Sequence, residues 1–367
     1  MDLQFTAAQR AFRAEARAWL EANVPTNLPS GDTRHGFALH LLWERKLFDA
    51  GWAVVSWPRA YGGRAASLVE WLIFEEEYYR VGGPQRVTQN GIFLLAPTIF
   101  EFGTDEQKQR ILKPMAAGEY LWGQGWSEPG SGSDLASVRS KAERTEGGWL
   151  LSGQKTWCTR GAFCHGMYGL FRTDPEEARH RGLTYFMMDF DSPGVSVRGV
   201  ERLDGDEGFA EVFCDSVFVP DTQVIGAVND GWSVAMATTS SERGMSLRSP
   251  GRFMATANRL LELCGPTPRV AGLWAKAQAY RLYTYGMAAK MEAGVSVGAE
   301  SSLSKLFWSE LDVEMHEVAM MALGPAAEKF SEWNKGFQFA LAGPIYAGTN
   351  EIQRNIVATR VLGLPRK

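Results

Sequence analysis

The string Gln124-Gly125-Trp126-Ser127-Glu128-Pro129-Gly130-Ser131-Gly132-Ser133-Asp134 is the most distinctive in the chain. Its glycines let the backbone approach a ligand closely, and its small hydroxyl side chains add O–H donors to the backbone N–H groups. Pro-Gly-Ser-Gly by itself is also ordinary loop chemistry, so the string gains meaning from its companions. Gly153-x-Lys155-x-Trp157-x-Thr159 follows it, and Tyr346-Ala347-Gly348-Thr349-Asn350-Glu351-Ile352-Gln353-Arg354 stands near the C-terminal end. Neither G-x-G-x-x-G nor G-x-x-x-x-G-K-[ST] occurs after a strand, which argues against a Rossmann or P-loop nucleotide site.

On either side of the string the texture changes. Residues 1–118 read as a helical domain. Phe5, Phe12, Ala16, Trp19 and Leu20 recur at helical spacing, and Phe37–Ala50 and Leu68–Arg80 continue the pattern. Trp57-Pro58 and Gly62-Gly63 mark an extended loop, and Glu101–Met115 reads as a helix with its N-cap in Gly103-Thr104-Asp105. Residues 119–226 read as a β domain, a barrel or sandwich of short strands parted by Gly, Pro and Asp turns. Within it, Trp149–Thr159 looks like strand, turn and strand, and Thr184–Phe190 and Glu211–Val219 are further strands. Residues 227–367 return to helix, and the long runs Arg269–Met291 and Glu300–Leu323 point to an antiparallel bundle.

Composition fits such a protein. The 367 residues are 45% hydrophobic and 22% charged, the balance of a folded globule with more than one domain. Lys plus Arg total 38 against 42 Asp plus Glu, a net charge of −4 without a basic tract, which argues against nucleic-acid or anionic-membrane partners. The N-terminal residues lack a secretory pattern, and no apolar run approaches the ~20 residues that cross a bilayer. Cys158, Cys164, Cys214 and Cys264 are widely spaced, and His35, His40, His165, His180 and His316 are scattered. A protein-bound metal is therefore not expected, and a reducing cytoplasm is.

Taken in order, the three motifs resemble the acyl-CoA dehydrogenase family, over nearly the whole chain. The resemblance implies an N-terminal helical domain, a middle β domain and a C-terminal four-helix bundle, with FAD as cofactor and an acyl-CoA thioester as substrate. It places Gln124, Trp126, Ser127 and Ser133 along the flavin and its pyrophosphate, with Ser133 also touching the CoA part of the substrate. Trp157 would pack on the isoalloxazine, Thr159 would donate near its N5, and Thr349 and Glu351 would sit at the FAD end of the C-terminal loop.

Oxidising an acyl thioester to its α,β-unsaturated form needs a base for the α-proton and an acceptor for the β-hydride. In many members of the family the base is a Glu directly before the Gly-Thr of the C-terminal loop. Here that position is Ala347, which offers only its backbone N–H toward the thioester carbonyl. A second arrangement in the family puts the Glu on the first long helix of the bundle, before an Arg. Ser240-Ser241-Glu242-Arg243-Gly244 matches it, so Glu242 is the expected base and Arg243 its charged neighbour beside the substrate.

Two segments depart from the family. The Arg-Lys-x-Phe-Gly turn, which reaches a neighbouring subunit's FAD, is replaced by Leu263-Cys264-Gly265-Pro266-Thr267-Pro268. The Phe-Gly-Gly segment is replaced by Ala322-Leu323-Gly324-Pro325-Ala326. The family resemblance thus implies a homo- or hetero-oligomer, and these losses favour a related subunit that completes the FAD site. The expected electron acceptor is an electron-transfer flavoprotein. An oxidase using O2, and a non-catalytic subunit kept for assembly, are the competing readings.

Overall fold

The computed structural model describes residues 4–177, 179–243, 248–295 and 298–365, except the side chains of 241–243. Among the described residues, α-helices come first: α1 (Ala7–Asn23), α2 (Arg34–Asp49), α3 (Leu68–Arg80), α4 (Ala96–Phe102) and α5 (Asp105–Ala116). Eight strands follow: β1 (Trp122–Gly125), β2 (Lys141–Thr145), β3 (Gly148–Lys155), β4 (Gly166–Arg172), β5 (Leu183–Asp189), β6 (Val195–Val200), β7 (Phe209–Pro220) and β8 (Val224–Ile225). The chain then returns to helix: α6 (Gly231–Arg243), α7 (Pro250–Cys264), α8 (Pro268–Glu292), α9 (Glu300–Leu323), α10 (Glu332–Ala340) and α11 (Asn350–Ile356). Helix, sheet, helix is the acyl-CoA dehydrogenase-like order expected from the sequence.

These elements form two compact units. One comprises residues 27–64 and 85–241, and so holds the sheet with α2, α4, α5 and all but the end of α6. Its strands lie in the order β6-β7-β3-β2-β4-β5-β8, with β1 parallel to β4. Their core combines Trp149 and Leu151 of β3, Met167 and Phe171 of β4, and Phe186 and Met188 of β5. From β7 it takes Ala210, Val212 and Cys214, then Val217 and Val219.

That change from even to odd positions is a β-bulge. Leu151 pairs with Val217 but Gly153 with Cys214, so β7 carries one extra residue, and Ser216 takes φ +52° to accommodate it. The strand, turn and strand expected over Trp149–Thr159 is instead a single strand as far as Lys155, with Gly153 inside it. A Cβ on Gly153 would stand 2.3 Å from Ser140 Oγ, which leaves room only for glycine. The expected helix at Glu101–Met115 also divides: Gly103 ends α4, and Thr104 caps α5 by accepting from the Gln107 N–H at 3.2 Å.

The other unit comprises residues 1–26, 65–84 and 242–367. Helices α1 and α3 join the bundle helices here. Glu77 of α3 is buried and receives Arg13, Arg17 and Arg80 at 2.8–3.3 Å. Burial pushes its carboxyl upward, but the arginines, Arg17 foremost, hold it below the usual carboxylate range. Phe253, Ala257 and Leu260 of α7 pack with Leu273, Ala277 and Tyr280 of α8 and with Trp308, Leu311 and Met315 of α9.

Candidate active site

In the β unit, β1 delivers the chain to the glycine- and serine-rich loop. Trp126 directly follows the strand and is buried edge-on against Tyr168 and Tyr185, with ring centroids 5.9 and 5.5 Å away. Beyond it, Pro129-Gly130 forms a two-residue turn: Glu128 N–H donates to Ser131 O at 2.8 Å and Ser131 N–H to Glu128 O at 3.0 Å.

The loop is held from behind by one carboxylate. Glu128 accepts from the N–H groups of Arg139 (2.6 Å) and Ser140 (2.9 Å) and from Lys155 Nζ (2.8 Å). Lys155, at the end of β3, is wholly buried and also donates to Leu170 O at 2.7 Å. Burial works against the ionised carboxyl, but Lys155 and the two backbone donors outweigh it and hold Glu128 below the ordinary range. Thr156 N–H, donating to Ser127 O at 2.8 Å, adds a backbone tie beside the pair. Lys155 and Glu128 stand inside the two motifs, yet sequence reasoning gave them no role; the Gly-x-Lys spacing is the only signal of it.

After Lys155 the chain leaves the sheet. Trp157 does not lie on a strand: it takes φ +61°, is 59% exposed, and meets only the edge of Phe209 at 5.6 Å among described rings. A large aromatic held in the left-handed region and turned outward has no role in this unit's core. Paired backbone bonds between Cys158 and Ala210, at 2.9 and 3.0 Å, fix the segment, and Asn90 Nδ2 donates to Thr159 O at 3.2 Å. Burial pushes the Cys158 thiol up to about 12, so it packs as a neutral group.

Arg160, next in line, ends in a buried ion cluster that the sequence did not disclose. Asp32 accepts from Arg160 Nε at 2.5 Å and from Arg202 Nη1 at 2.6 Å. Burial raises the Asp32 carboxyl, and the two guanidiniums together more than reverse it. The cluster anchors Thr159 and Trp157 through their neighbour.

FAD fits this part of the unit on three observations. Gln124 Nε2 and Trp126 Nε1 are buried donors that meet no acceptor among the described residues. Gly130 and Gly132 need no positive φ, and a Cβ on either would meet nothing within 4 Å, so the fold leaves open space beside them. Ser133 beside them is exposed, as is the outward ring of Trp157. A polar-edged ring system and a pyrophosphate match that donor set.

We expect Trp157→Gly to weaken FAD binding about three- to tenfold, the worth of one aromatic contact. Because Gly accepts φ +61° freely, the unfolding midpoint in urea should hold or rise. A falling midpoint would return Trp157 to a structural role.

The bundle unit holds the second group. Ala347 (φ +57°) and Gly348 (φ +77°) form a turn that Gln353, fully buried, closes by donating to their carbonyls at 3.1 and 3.3 Å. Thr349 caps α11, accepting from Ile352 N–H at 3.3 Å. Glu351 projects into solvent in the first turn, where hydrogen bonds from its own backbone N–H and the Thr349 hydroxyl keep its carboxyl low. Asn350 is buried, accepting from Lys305 Nζ at 2.6 Å and Ser309 Oγ at 3.1 Å. Glu242 and Arg243 belong to the last turn of α6, and their side chains lie outside the described residues. Gln124, Trp126, Ser127, Ser133, Trp157 and Thr159 are thus gathered in the β unit, and Ala347, Thr349 and Glu351 in the bundle unit.

Comparison with known proteins agrees with this layout. Family models for the N-terminal, middle and C-terminal domains of acyl-CoA dehydrogenase match residues 6–119, 123–217 and 229–362. The acyl-CoA dehydrogenase IpdE1 of Mycobacterium tuberculosis is 36% identical over 97% of this chain and 98% of its own length. Among solved structures, the Tcur3481-Tcur3483 steroid ACAD superimposes with a TM-score of 0.88 at 26% identity, over the full length of both chains. The ChsE4-ChsE5 complex of M. tuberculosis does so with a TM-score of 0.86 at 27% identity, again over both full lengths.

Proposed function

The chain belongs to the acyl-CoA dehydrogenase family, and from that premise we propose that it desaturates an acyl-CoA thioester with Glu242 as the base for the α-proton. It is an acyl-CoA dehydrogenase and its cofactor is FAD. When bound, FAD supplies the acceptor for the hydride that leaves the β-carbon. The observation that carries the reading is Trp157, held outward beside a glycine loop whose own fixing comes from the buried Glu128–Lys155 pair.

The chain's residues divide the work. Gln124, Trp126 and Ser127 offer donors to the polar edge of the ring system, Trp157 covers a face, Thr159 donates beside it, and Ser133 faces the pyrophosphate and the CoA moiety. Glu242 takes the α-proton, and Arg243 beside it favours the ionised carboxylate. Ala347, where many family members keep a Glu, leaves the C-terminal loop without an acid before Gly348. That small side chain also supports a bulky acyl group, which accords with relatives described as steroid dehydrogenases.

Association with a related subunit is part of the reading. Support comes from the two replaced segments and from relatives solved as two-component complexes. Electrons would then pass to an electron-transfer flavoprotein.

The test is anaerobic turnover of straight-chain, branched and ring-bearing acyl-CoA thioesters with an artificial acceptor, by the chain alone and with its related subunit. Enoyl-CoA formation with at least one thioester is expected, and more FAD retained with the subunit than without it. Substantial peroxide from O2 would favour an oxidase. A protein that stays colourless with added FAD, in both preparations, would overturn the catalytic reading.

A further inference from the structure

Asn90 opens a single π-helical turn, Asn90–Leu95, that runs directly into α4. Such turns are rare and cluster at functional sites. Asn90 is buried, in the same unit as the glycine loop and Trp157, and it reaches toward both motifs. Its Nδ2 donates to Thr159 O at 3.2 Å, and its own carbonyl accepts from Tyr168 OH at 3.3 Å. Tyr168 is one of the rings on which Trp126 packs.

The bond to Thr159 decides where that residue's own donors point. Across a trans peptide the C=O and the following N–H lie on opposite sides. Cys158 O accepts from Ala210 N–H at 2.9 Å, so Thr159 N–H is turned away from β7. Thr159 O accepts from Asn90, and Arg160 N–H, across that next peptide, donates to Gly208 O at 2.9 Å. Both peptides flanking Thr159 are thereby fixed. All of these bonds run from backbone to backbone except one: the Thr159 carbonyl is held by the Asn90 side chain. The segment needs such holding, because Trp157 and Arg160 are both non-glycine residues in the left-handed region. Residues in that region keep their shape only where the surroundings impose it. What is left over is the Thr159 N–H and hydroxyl, neither of which meets a partner among the described residues.

We propose that Asn90 is a positioning residue for the flavin: it aims the N–H and hydroxyl of Thr159 at the polar edge of the ring system. It acts through Thr159 and does not itself touch the cofactor. The inference rests on the place given to Thr159 beside FAD in the proposed function. Leucine at position 90 would release the carbonyl and let the two donors swing off line, where hydrogen bonds weaken steeply.

The test is a double-mutant cycle read on FAD. Asn90→Leu, Thr159→Ala and the double variant are loaded with FAD, alone and with the related subunit. The dissociation constant and the visible absorption band of the bound flavin are measured for each. Asn90→Leu should weaken FAD about three- to tenfold, the worth of one hydrogen bond, and shift the band in the direction that Thr159→Ala does. The double variant should be little worse than the weaker single one, because most of what Asn90 aims is gone. Thr184→Val supplies the control. It removes a buried hydroxyl of the same unit, 2.7 Å from that of Thr173, and should leave both readouts unchanged.

Effects that simply multiply in the double variant overturn the inference, and so do an unaltered constant and band in a folded Asn90→Leu protein. Equal effects from Thr184→Val also overturn it, since any lost hydrogen bond would then suffice. Should leucine prevent folding, Asn90→Ala, smaller and without the donors, takes its place in the cycle. Reduction of the bound flavin by acyl-CoA thioesters is followed in parallel. A coupled cycle without reduction by any thioester upholds Asn90 and overturns the dehydrogenase reading. Reduction with an uncoupled cycle does the reverse, and a wild-type protein that takes up no FAD in either preparation overturns both.

Discussion

Glu242→Gln should lose turnover by about two orders of magnitude or more, while the purified protein stays yellow. Gln is close in size to Glu and keeps a hydrogen-bonding end, so packing around α6 changes little. What it lacks is a lone pair basic enough to take a proton. With alanine at position 347, the C-terminal loop has no acid directly before Gly348 to take over the step. Bound FAD should be unchanged, because the residues that fit the flavin in the β unit do not include Glu242. A variant that lost flavin along with activity would be a folding mutant and would say nothing of the base. Restoring an acid elsewhere gives a second check: Glu242→Gln combined with Ala347→Glu should recover a measurable part of the turnover.

Lys155→Met should strip the protein of FAD and destabilise it by about 3–5 kcal/mol, the cost of leaving one member of a buried ion pair alone. Lys155 has no solvent exposure, so water cannot replace the ammonium opposite Glu128. The stranded carboxylate would keep the N–H bonds of Arg139 and Ser140 but would be drawn toward solvent, and residues 127–133 would move with it. The double variant Glu128→Gln/Lys155→Met should regain most of the stability, because a neutral amide can still accept from one backbone N–H. A single variant that keeps both stability and flavin would show that the loop is held by other means.

The same pair fixes a direction with pH. Glu128 has a folded-state carboxyl below its unfolded value, so its contribution is fully present above the ordinary Glu range near pH 4.3. It is lost as pH falls toward the depressed folded value. FAD release and loss of stability should therefore accompany acidification below about pH 4, and Glu128→Gln should flatten that dependence.

Much of the architecture was legible because helical periodicity is local. The limits of α9 agree with the sequence reading residue for residue, and those of α8 differ by one at each end. The glycine- and serine-rich loop stood out for a related reason: its small residues are contiguous, and Gly130, Gly132 and Ser133 lie outside the core. The turn expected within Trp149–Thr159 was misread because β3 runs on past a bulge, and only the partner strand β7 reveals it. Asp32 could not be paired with Arg160 or Arg202 in advance, since they lie 128 and 170 positions away along the chain. Trp157 was wrongly read as a strand residue, because a left-handed φ at tryptophan has no sequence signature.

The most direct measurement separates proton removal from hydride transfer. A thioester with sulfur in place of the β-carbon cannot give up a hydride but still presents acidic α-hydrogens. Incubated with the FAD-loaded wild-type protein in D2O, it should exchange those hydrogens, and Glu242→Gln should slow the exchange about a hundredfold or more while FAD remains bound. Exchange at the wild-type rate in that variant would contradict the assignment of Glu242 as the base.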